Sequence, residues 1–279
     1  IGGPPCQGFS QKGKRLSVND ERNFLFKSYV DFVKIFSPKY FVLENVPEII
    51  TTSNGFFKDE IISSFNSLGY DVTFGILHAV DFGVPQDRRR AVFLGQKGNL
   101  EISLPSPICE KNTVKDAIYD LPFISSGEGT EISRYDKAPK SKLQRFLRGD
   151  TEVLYNHVAT KHSKIALERL SLIPKGAGKE ALPPEHHTKS IYSGTWCRLI
   201  EDGVATTITT RFDTPSSGRF THPVLNRCLT VREAARIQTF PDSFRFYGPK
   251  TSQMKQVGNA VPPLMSFAIA KEIIKNERI

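Results

Sequence analysis

Cys6 stands between Gly2-Gly3-Pro4-Pro5 and Gln7-Gly8-Phe9-Ser10. Glycines permit a tight turn and prolines then fix φ, so the spacing predicts a cysteine held on a rigid corner. A sulfur placed in this way could serve as a nucleophile, which must meet its target atom to within a fraction of an ångström. A cysteine alone is more often a small buried apolar residue, so the rest of the chain must decide. Glu44 follows the apolar run Tyr40-Phe41-Val42-Leu43. The carboxyl end of a buried strand is where reactive groups gather in open α/β sheets, and burial there would favour the protonated form needed for acid–base work. The run Gln86-Asp87-Arg88-Arg89-Arg90 leads into a second apolar stretch at 91–94. Strand alternation puts Arg88 and Arg90 on one face and Arg89 on the other. Two guanidiniums on one face would favour a nearby thiolate and could grip a carbonyl oxygen or a phosphate.

These groups need a rigid frame. Leu25, Tyr29, Phe32, Val33 and Phe36 recur at helical spacing, with Asp20 as a fitting cap and Pro38 as a stop. Residues 40–43 read as a strand buried on both faces. Phe57, Ile61, Phe65 and Leu68 mark a second helix that Gly69 ends. Val72, Phe74 and Ile76 alternate as a strand does, and 91–94 form another buried strand. Helices between apolar strands predict an α/β layer fold with a mostly parallel sheet. The connection between the last two strands is too short for a helical crossover, so those two should pair antiparallel.

Beyond about residue 95 the composition shifts to proline, glycine, serine and lysine. Helices are predicted over 114–121 and 165–173, and the remainder reads as short strands and loops. Thr230-x-x-Glu233 is a capping box that opens a helix over 231–238. Pro262-Pro263 precede a helix over 264–275, whose Leu264, Ala268, Ile269 and Ile273 suit it to pack back on the first domain. The predicted division is therefore 1–98, a second and smaller domain over 99–228, and a return segment over 229–279.

The 279 residues are 39% hydrophobic, enough to bury the core of one large or two smaller domains. The net charge of +9 and pI near 9.3 favour a polyanionic partner such as nucleic acid. Part of that charge gathers in the middle of the chain, at Lys137, Lys140, Lys142, Arg145 and Arg148. The four cysteines, Cys6, Cys109, Cys197 and Cys228, make no Cys-x-x-Cys pair. This predicts reduced thiols, with neither a zinc site nor a disulfide framework. Residues 174–179 lack the spacing of a phosphate-binding loop, and His186-His187 stand without ligand partners. No stretch is long and apolar enough to span a membrane and no signal peptide opens the chain, so a cytoplasmic protein is expected.

Four strings fall in order along the chain: GGPPCQGFS at 2–10, ENV at 44–46, QDRRR at 86–90, and VREAARIQTFPDSF followed by QVGNAVPP between Val231 and Pro263. Together they resemble the DNA (cytosine-5)-methyltransferase family, over both ends of the chain. The middle, roughly 100–200, is that family's most variable part. The resemblance implies a Rossmann-like class I methyltransferase sheet, here lacking its first strands, with a second, smaller β-rich target-recognition domain. It implies methyl transfer from S-adenosylmethionine to carbon-5 of a cytosine flipped out of duplex DNA, in an enzyme of the bacterial restriction–modification or phage type.

On this resemblance Cys6 adds to carbon-6 of the ring, Glu44 stabilises ring nitrogen-3, Arg90 holds the ring carbonyl, and Arg88 orders the site or a phosphate. Asn45 supports the local backbone. Gln7, Ser10 and Arg15 are implied DNA contacts in a loop that closes over its substrate. Thr209, Thr210 and Arg211 are implied readers of base edges. Pro5, Asn259 and Val261 are implied contacts to the methyl donor, with Gly258 allowing close backbone approach. Arg232 and Glu233 fit helix capping and interdomain salt bridges.

The family's glycine-rich donor loop, with the acidic residue that holds the donor's ribose, is expected upstream of Ile1. Residues 1–279 alone are therefore expected to bind S-adenosylmethionine poorly, and a longer protein or a complementing N-terminal chain to complete the site. The expected partners are double-stranded DNA and a cognate restriction endonuclease, and the intact enzyme is expected to be a monomer. Two other readings stay open. One is a tRNA cytosine-5 methyltransferase, although that branch's Cys-Phe-Thr string is missing. The other is a non-catalytic DNA-binding fragment or subunit of a split enzyme. A Cys–His hydrolase would need a histidine in a comparable motif, and none is present.

Overall fold

In the computed structural model, residues 1–5, 25–98, 102–188 and 194–277 are described. They fall into two compact units. The first holds Ile1–His78, Arg89–Pro107 and Phe267–Ile279; the second holds Ala79–Arg88 and Ile108–Ser266. The chain thus passes from one unit to the other inside the arginine run.

The first unit opens with α1 (Phe26–Phe36), β1 (Tyr40–Asn45), α2 (Glu48–Thr51), α3 (Phe56–Asn66) and β2 (Tyr70–His78). The short β3 (Gln86–Asp87) lies in the second unit, and β4 (Arg89–Lys97) returns to the first. The expected cap Asp20 lies outside the described residues; α1 begins at Phe26 and ends at Ser37, whose φ of 45° turns the chain ahead of Pro38. The sheet order is β1-β4-β2, and β4 pairs antiparallel with both neighbours. The expected antiparallel pairing of β2 with β4 is observed. The mostly parallel sheet is not found among the described residues, and the reason is topological. The α2–α3 crossover does return β2 in the same direction as β1. The chain then doubles back and inserts β4 between them. The parallel pairing that is described in this unit includes the bridge of Gly2 to Leu43.

One face of this sheet carries Phe41, Leu43, Ala91 and Phe93, which pack with Phe26 and Val33 of α1, Ile49 of α2, and Phe57, Ile61 and Phe65 of α3. The Phe41 and Phe65 rings stack with centroids 3.9 Å apart. Gly95 makes room for this stack, since a Cβ there would overlap the Phe41 ring.

The second unit holds α4 (Val114–Ile118), β5 (Gly129–Arg134), α5 (Lys142–Arg148), β6 (Val153–Val158), α6 (Lys164–Leu172), β7 (Ala205–Thr206), α7 (Val231–Ile237) and α8 (Lys250–Asn259). The last helix, α9 (Pro263–Glu277), starts in this unit and finishes in the first. β5 pairs antiparallel with β6, and β3 pairs parallel with β7. This unit carries more helix than the proline- and glycine-rich composition suggested. α4, α5 and α7 each begin with a capping box, from Thr113, Ser141 and Thr230. The boundary also differs from the expected return segment. Residues 229–266 stay in the second unit, because every residue of α7 is buried in a core with α4, α5 and β6.

Burying α7 means burying its charges, and each finds partners. Glu233 takes both Nη1 and Nη2 of Arg227 at 2.7 Å and the Thr230 N–H at 2.8 Å. Burial works against the Glu233 carboxylate, but the Arg227 guanidinium outweighs it and holds the pKa well below the usual range. Arg236 forks onto Asp120 and Asp242, and Arg232 donates Nε to the Tyr155 carbonyl at 2.9 Å. Capping by Glu233 is as expected; the expected salt bridges of Arg232 and Glu233 lie within one unit rather than between two.

Beside this network the buried His222 accepts at Nδ1 from the Val224 and Leu225 N–H groups, both at 3.2 Å, which leaves its proton on Nε2. Burial, reinforced by Arg227 and opposed by Glu233, pushes its pKa down to about 3. Burial also lowers that of His157. Below the ordinary histidine range near 6.5 the unfolded chain takes up protons that the native state refuses, so stability should be full above that range and fall as pH drops toward the folded values. Urea unfolding between pH 7.5 and 5.0 should show the loss, approaching about 1.4 kcal/mol per pH unit for each such histidine. His222→Asn should flatten part of the slope, and an unchanged stability over that interval would contradict the assignment.

Candidate active site

The register of the first sheet sets the site. Glu44 of β1 lies opposite Val92 of β4, and Arg90 is two residues from Val92 along β4. Residues two apart on a strand share a face, so Glu44 and Arg90 are diagonal neighbours on one surface of the sheet. Their side chains meet there: Arg90 Nε donates to Glu44 Oε1 at 2.7 Å, with the side chains 14% and 16% exposed respectively. This short contact fixes the orientation of the Glu44 carboxyl group. Arg90 Nη1 also donates to the Arg89 carbonyl at 2.7 Å, which fixes the guanidinium at a second point. Glu44 Oε2 is turned toward Gly3, where an added Cβ would stand 3.4 Å from it.

The chain's first residues lie along the same strand end. The Gly2 N–H donates to the Val42 carbonyl at 2.8 Å, and the Glu44 N–H donates to the Gly2 carbonyl at 2.9 Å. Gly2 cannot carry a side chain here, since a Cβ would overlap the Tyr29 ring. That ring is itself fixed by its hydroxyl, which donates to the Val42 carbonyl at 3.0 Å. Next, Asn45 Nδ2 donates to the Pro4 carbonyl at 3.1 Å, while Asn45 Oδ1 accepts from the Val46 N–H at 2.9 Å. The backbone leading toward Cys6 is therefore pinned beside Glu44 as far as Pro4. Cys6, Gln7, Ser10 and Arg15 lie outside the described residues. Pro5 is exposed.

Two of the other cysteines, Cys197 and Cys228, are buried. Burial pushes the Cys197 and Cys228 thiols above their ordinary range, against the thiolate. Cys109 is exposed.

Arg88 belongs to the second unit and is buried there. Its Nη1 donates to the Ile208 carbonyl at 3.1 Å, and its Nη2 donates to the Gly258 and Ala260 carbonyls at 3.0 and 2.9 Å. The structure thus gives Arg88 backbone partners within the second unit, whereas Arg90 pairs with Glu44 within the first; Arg88 lies between β3 and β4 rather than on one strand face with Arg90, and Arg89 is exposed. Gln86, two residues before Arg88, was not singled out by sequence. It accepts from the Ile208 N–H at 2.8 Å and donates to Gln238 at 2.9 Å. The signal that could have found it is the alternation of Gln86 and Arg88, both buried, about the exposed Asp87.

Thr209 and Thr210 are half-buried and Arg211 is exposed, on a turn in which Thr209 Oγ1 donates to the Arg211 carbonyl at 3.0 Å. Asn259, the last residue of α8, is exposed and Val261 is half-buried. Part of the basic charge in the middle of the chain is used internally. Arg148 lies over the Tyr135 ring and donates to the Lys137 carbonyl, and Lys137 lies over the Phe123 ring.

The profile of the C-5 cytosine-specific DNA methylase family matches residues 1–275. The chain belongs to this family. It is 39% identical over 301 residues to the type II methyltransferase M.DdeI of Desulfomicrobium norvegicum, covering 98% of this chain and 71% of that one. It is 40% identical over 278 residues to M1.HphI of Haemophilus parahaemolyticus, covering 99% and 68%. A crystal structure from E. coli, described as a prophage-encoded DNA modification methyltransferase, superposes with a TM-score of 0.75 at 29% identity, over 98% of this chain and 77% of that one. The α/β fold class and the DNA (cytosine-5)-methyltransferase assignment read from the four strings are borne out. Methyltransferases of this family generally use S-adenosylmethionine and act on double-stranded DNA. Among the described residues no helix is long and apolar enough to cross a membrane.

If Asn45 pins the approach to Cys6, Asn45→Ala should cost about 1–2 kcal/mol of stability and slow methyl transfer about tenfold or more. Urea unfolding and single-turnover assays would check both, and a variant with unchanged turnover would show that the Pro4 contact does not position the loop.

Proposed function

We propose that this methyltransferase modifies carbon-5 of a cytosine flipped out of a specific duplex sequence, through a covalent bond from Cys6 to carbon-6. The observation that carries the reading is the oriented Glu44–Arg90 pair, with the backbone that leads to Cys6 pinned along the same strand end. Carbon-5 of cytosine is a poor nucleophile. When the Cys6 thiolate adds to carbon-6, a carbon–sulfur bond forms and ring electrons move toward nitrogen-3 and the carbonyl, which makes carbon-5 enamine-like. Glu44, having taken up a proton from solvent, shares it with nitrogen-3 as charge builds there, and Arg90, held on two sides, receives the ring carbonyl. The chemistry that S-adenosylmethionine supplies when bound is an electrophilic methyl group for carbon-5. A solvent water then takes the carbon-5 proton, the freed electron pair re-forms the ring double bond as the Cys6 thiolate leaves carbon-6, and the proton at nitrogen-3 returns to Glu44, which restores the aromatic ring.

In this reading Thr209, Thr210 and Arg211 contact the duplex, together with Gln7, Ser10 and Arg15. Pro5, Asn259 and Val261 contact the methyl donor. The relatives that carry type II names support a role as the modification partner of a restriction endonuclease.

Methyl transfer in the full-length protein should be measured on duplex DNA and on tRNA, with wild type and Cys6→Ser. Duplex DNA should be the substrate, and the serine variant should lose at least about a thousandfold in turnover. Transfer to tRNA in preference to duplex, or full turnover with serine, would overturn the reading.

A further inference from the structure

Gln86 and Arg88 take hold of two separate segments of the second unit. From the segment after β7, Ile208 offers both backbone groups: its N–H to Gln86 Oε1 at 2.8 Å and its carbonyl to Arg88 Nη1 at 3.1 Å. From the end of α8, the Gly258 and Ala260 carbonyls accept from Arg88 Nη2. The Val257 carbonyl accepts from Gln238 Nε2 at 2.8 Å, and Gln238 in turn accepts from Gln86 Nε2. Carbonyls in the last turn of a helix have no partner inside it, and a cation suits that end. A guanidinium serves several such acceptors in one plane, which an ammonium on a flexible stem does not. Gly258 completes the contact, because a Cβ on it would overlap the Thr209 carbonyl and the Thr210 nitrogen.

The two segments carry different duties in the proposed function. Thr209-Thr210-Arg211 faces DNA, and Asn259 with Val261 faces the methyl donor. We infer that Arg88 is a positioning residue that locks these segments into one piece, so that the donor-facing and DNA-facing surfaces are set together. The inference rests on that functional reading. Its physical content is that removing the fork, or wedging the contact open from the other side, should disturb both binding surfaces at once while sparing the reacting groups.

The test uses the full-length protein as wild type, Arg88→Lys, Gly258→Ala and the control Arg89→Lys, Arg89 being exposed. The duplex probe is one whose site the wild type methylates, mapped by bisulfite sequencing of plasmid DNA. Binding of S-adenosylhomocysteine, the unreactive product of the donor, is measured by calorimetry beside steady-state kinetics. Arg88→Lys should raise KM for the donor and for the duplex together, by about 5- to 50-fold, and weaken S-adenosylhomocysteine in parallel. Turnover at saturation should stay within about twofold. Gly258→Ala should do the same with the guanidinium intact, which keeps the test alive if Arg88→Lys does not fold. Arg89→Lys should change nothing.

A role in folding alone would lower the active fraction, and so turnover, with both KM values unchanged; that result overturns the inference. So does a rise in one KM without the other, or a loss of turnover alone, which would make Arg88 a catalytic group. A wild type that binds neither probe would overturn the functional reading before any variant is compared, and the inference with it.

Discussion

Glu44 and Arg90 meet because β4 runs between β1 and β2 in one register, with Glu44 opposite Val92. A shift of one residue would send Arg90 to the opposite face and into the aromatic layer formed by Phe41, Phe65 and Phe93. That layer resists the shift, since each of those rings is buried. The site's electrostatics therefore depend on packing that lies on the other side of the sheet. The same strand end supplies the backbone groups that hold Gly2, and Asn45 holds Pro4. One short stretch, Val42 to Asn45, thus orients a carboxylate, an arginine and the approach to the cysteine.

The second unit solves a different problem. It buries Arg88, Arg227, Arg232 and Arg236, and a buried charge is tolerated only when its donors are satisfied. Here they are matched to carboxylates and to carbonyls at loop and helix ends, so the charges fix where those ends lie. Breaking one partner would leave a desolvated charge, which is why such networks hold one arrangement firmly. In the proposed function, where one unit presents surfaces to both DNA and a methyl donor, that firmness would serve placement more than net stability.

Much of this was legible in the chain. The Thr230-x-x-Glu233 pattern predicted α7, and the apolar spacing predicted α1 and α3 and the three strands of the first sheet. The order of the four strings predicted the family. Other elements escaped, α5 and α8 among them, for physical reasons. Ser141-x-x-Gln144 carries the same capping signal as α7 but sits in a stretch whose lysines and prolines suggest loop. α8 buries only Gln253, Met254, Val257 and Gly258, too little apolar periodicity to stand out. The clamp of Arg88 was not readable at all, because its partners lie 120, 170 and 172 residues away and are backbone carbonyls that any residue type would supply. The sheet's direction was misjudged because crossover lengths reveal how consecutive strands run and not which strand inserts between them.

The central claim is that a sulfur of this chain bonds transiently to the pyrimidine ring. A duplex carrying 5-fluorocytosine at the target site blocks loss of the group at carbon-5, so the adduct should persist once the methyl has been transferred. Digestion of the trapped complex and mass spectrometry should place the nucleotide on the peptide that contains Cys6. A nucleotide found on any other residue, or no adduct from an enzyme that turns over normally on unmodified DNA, would contradict the account.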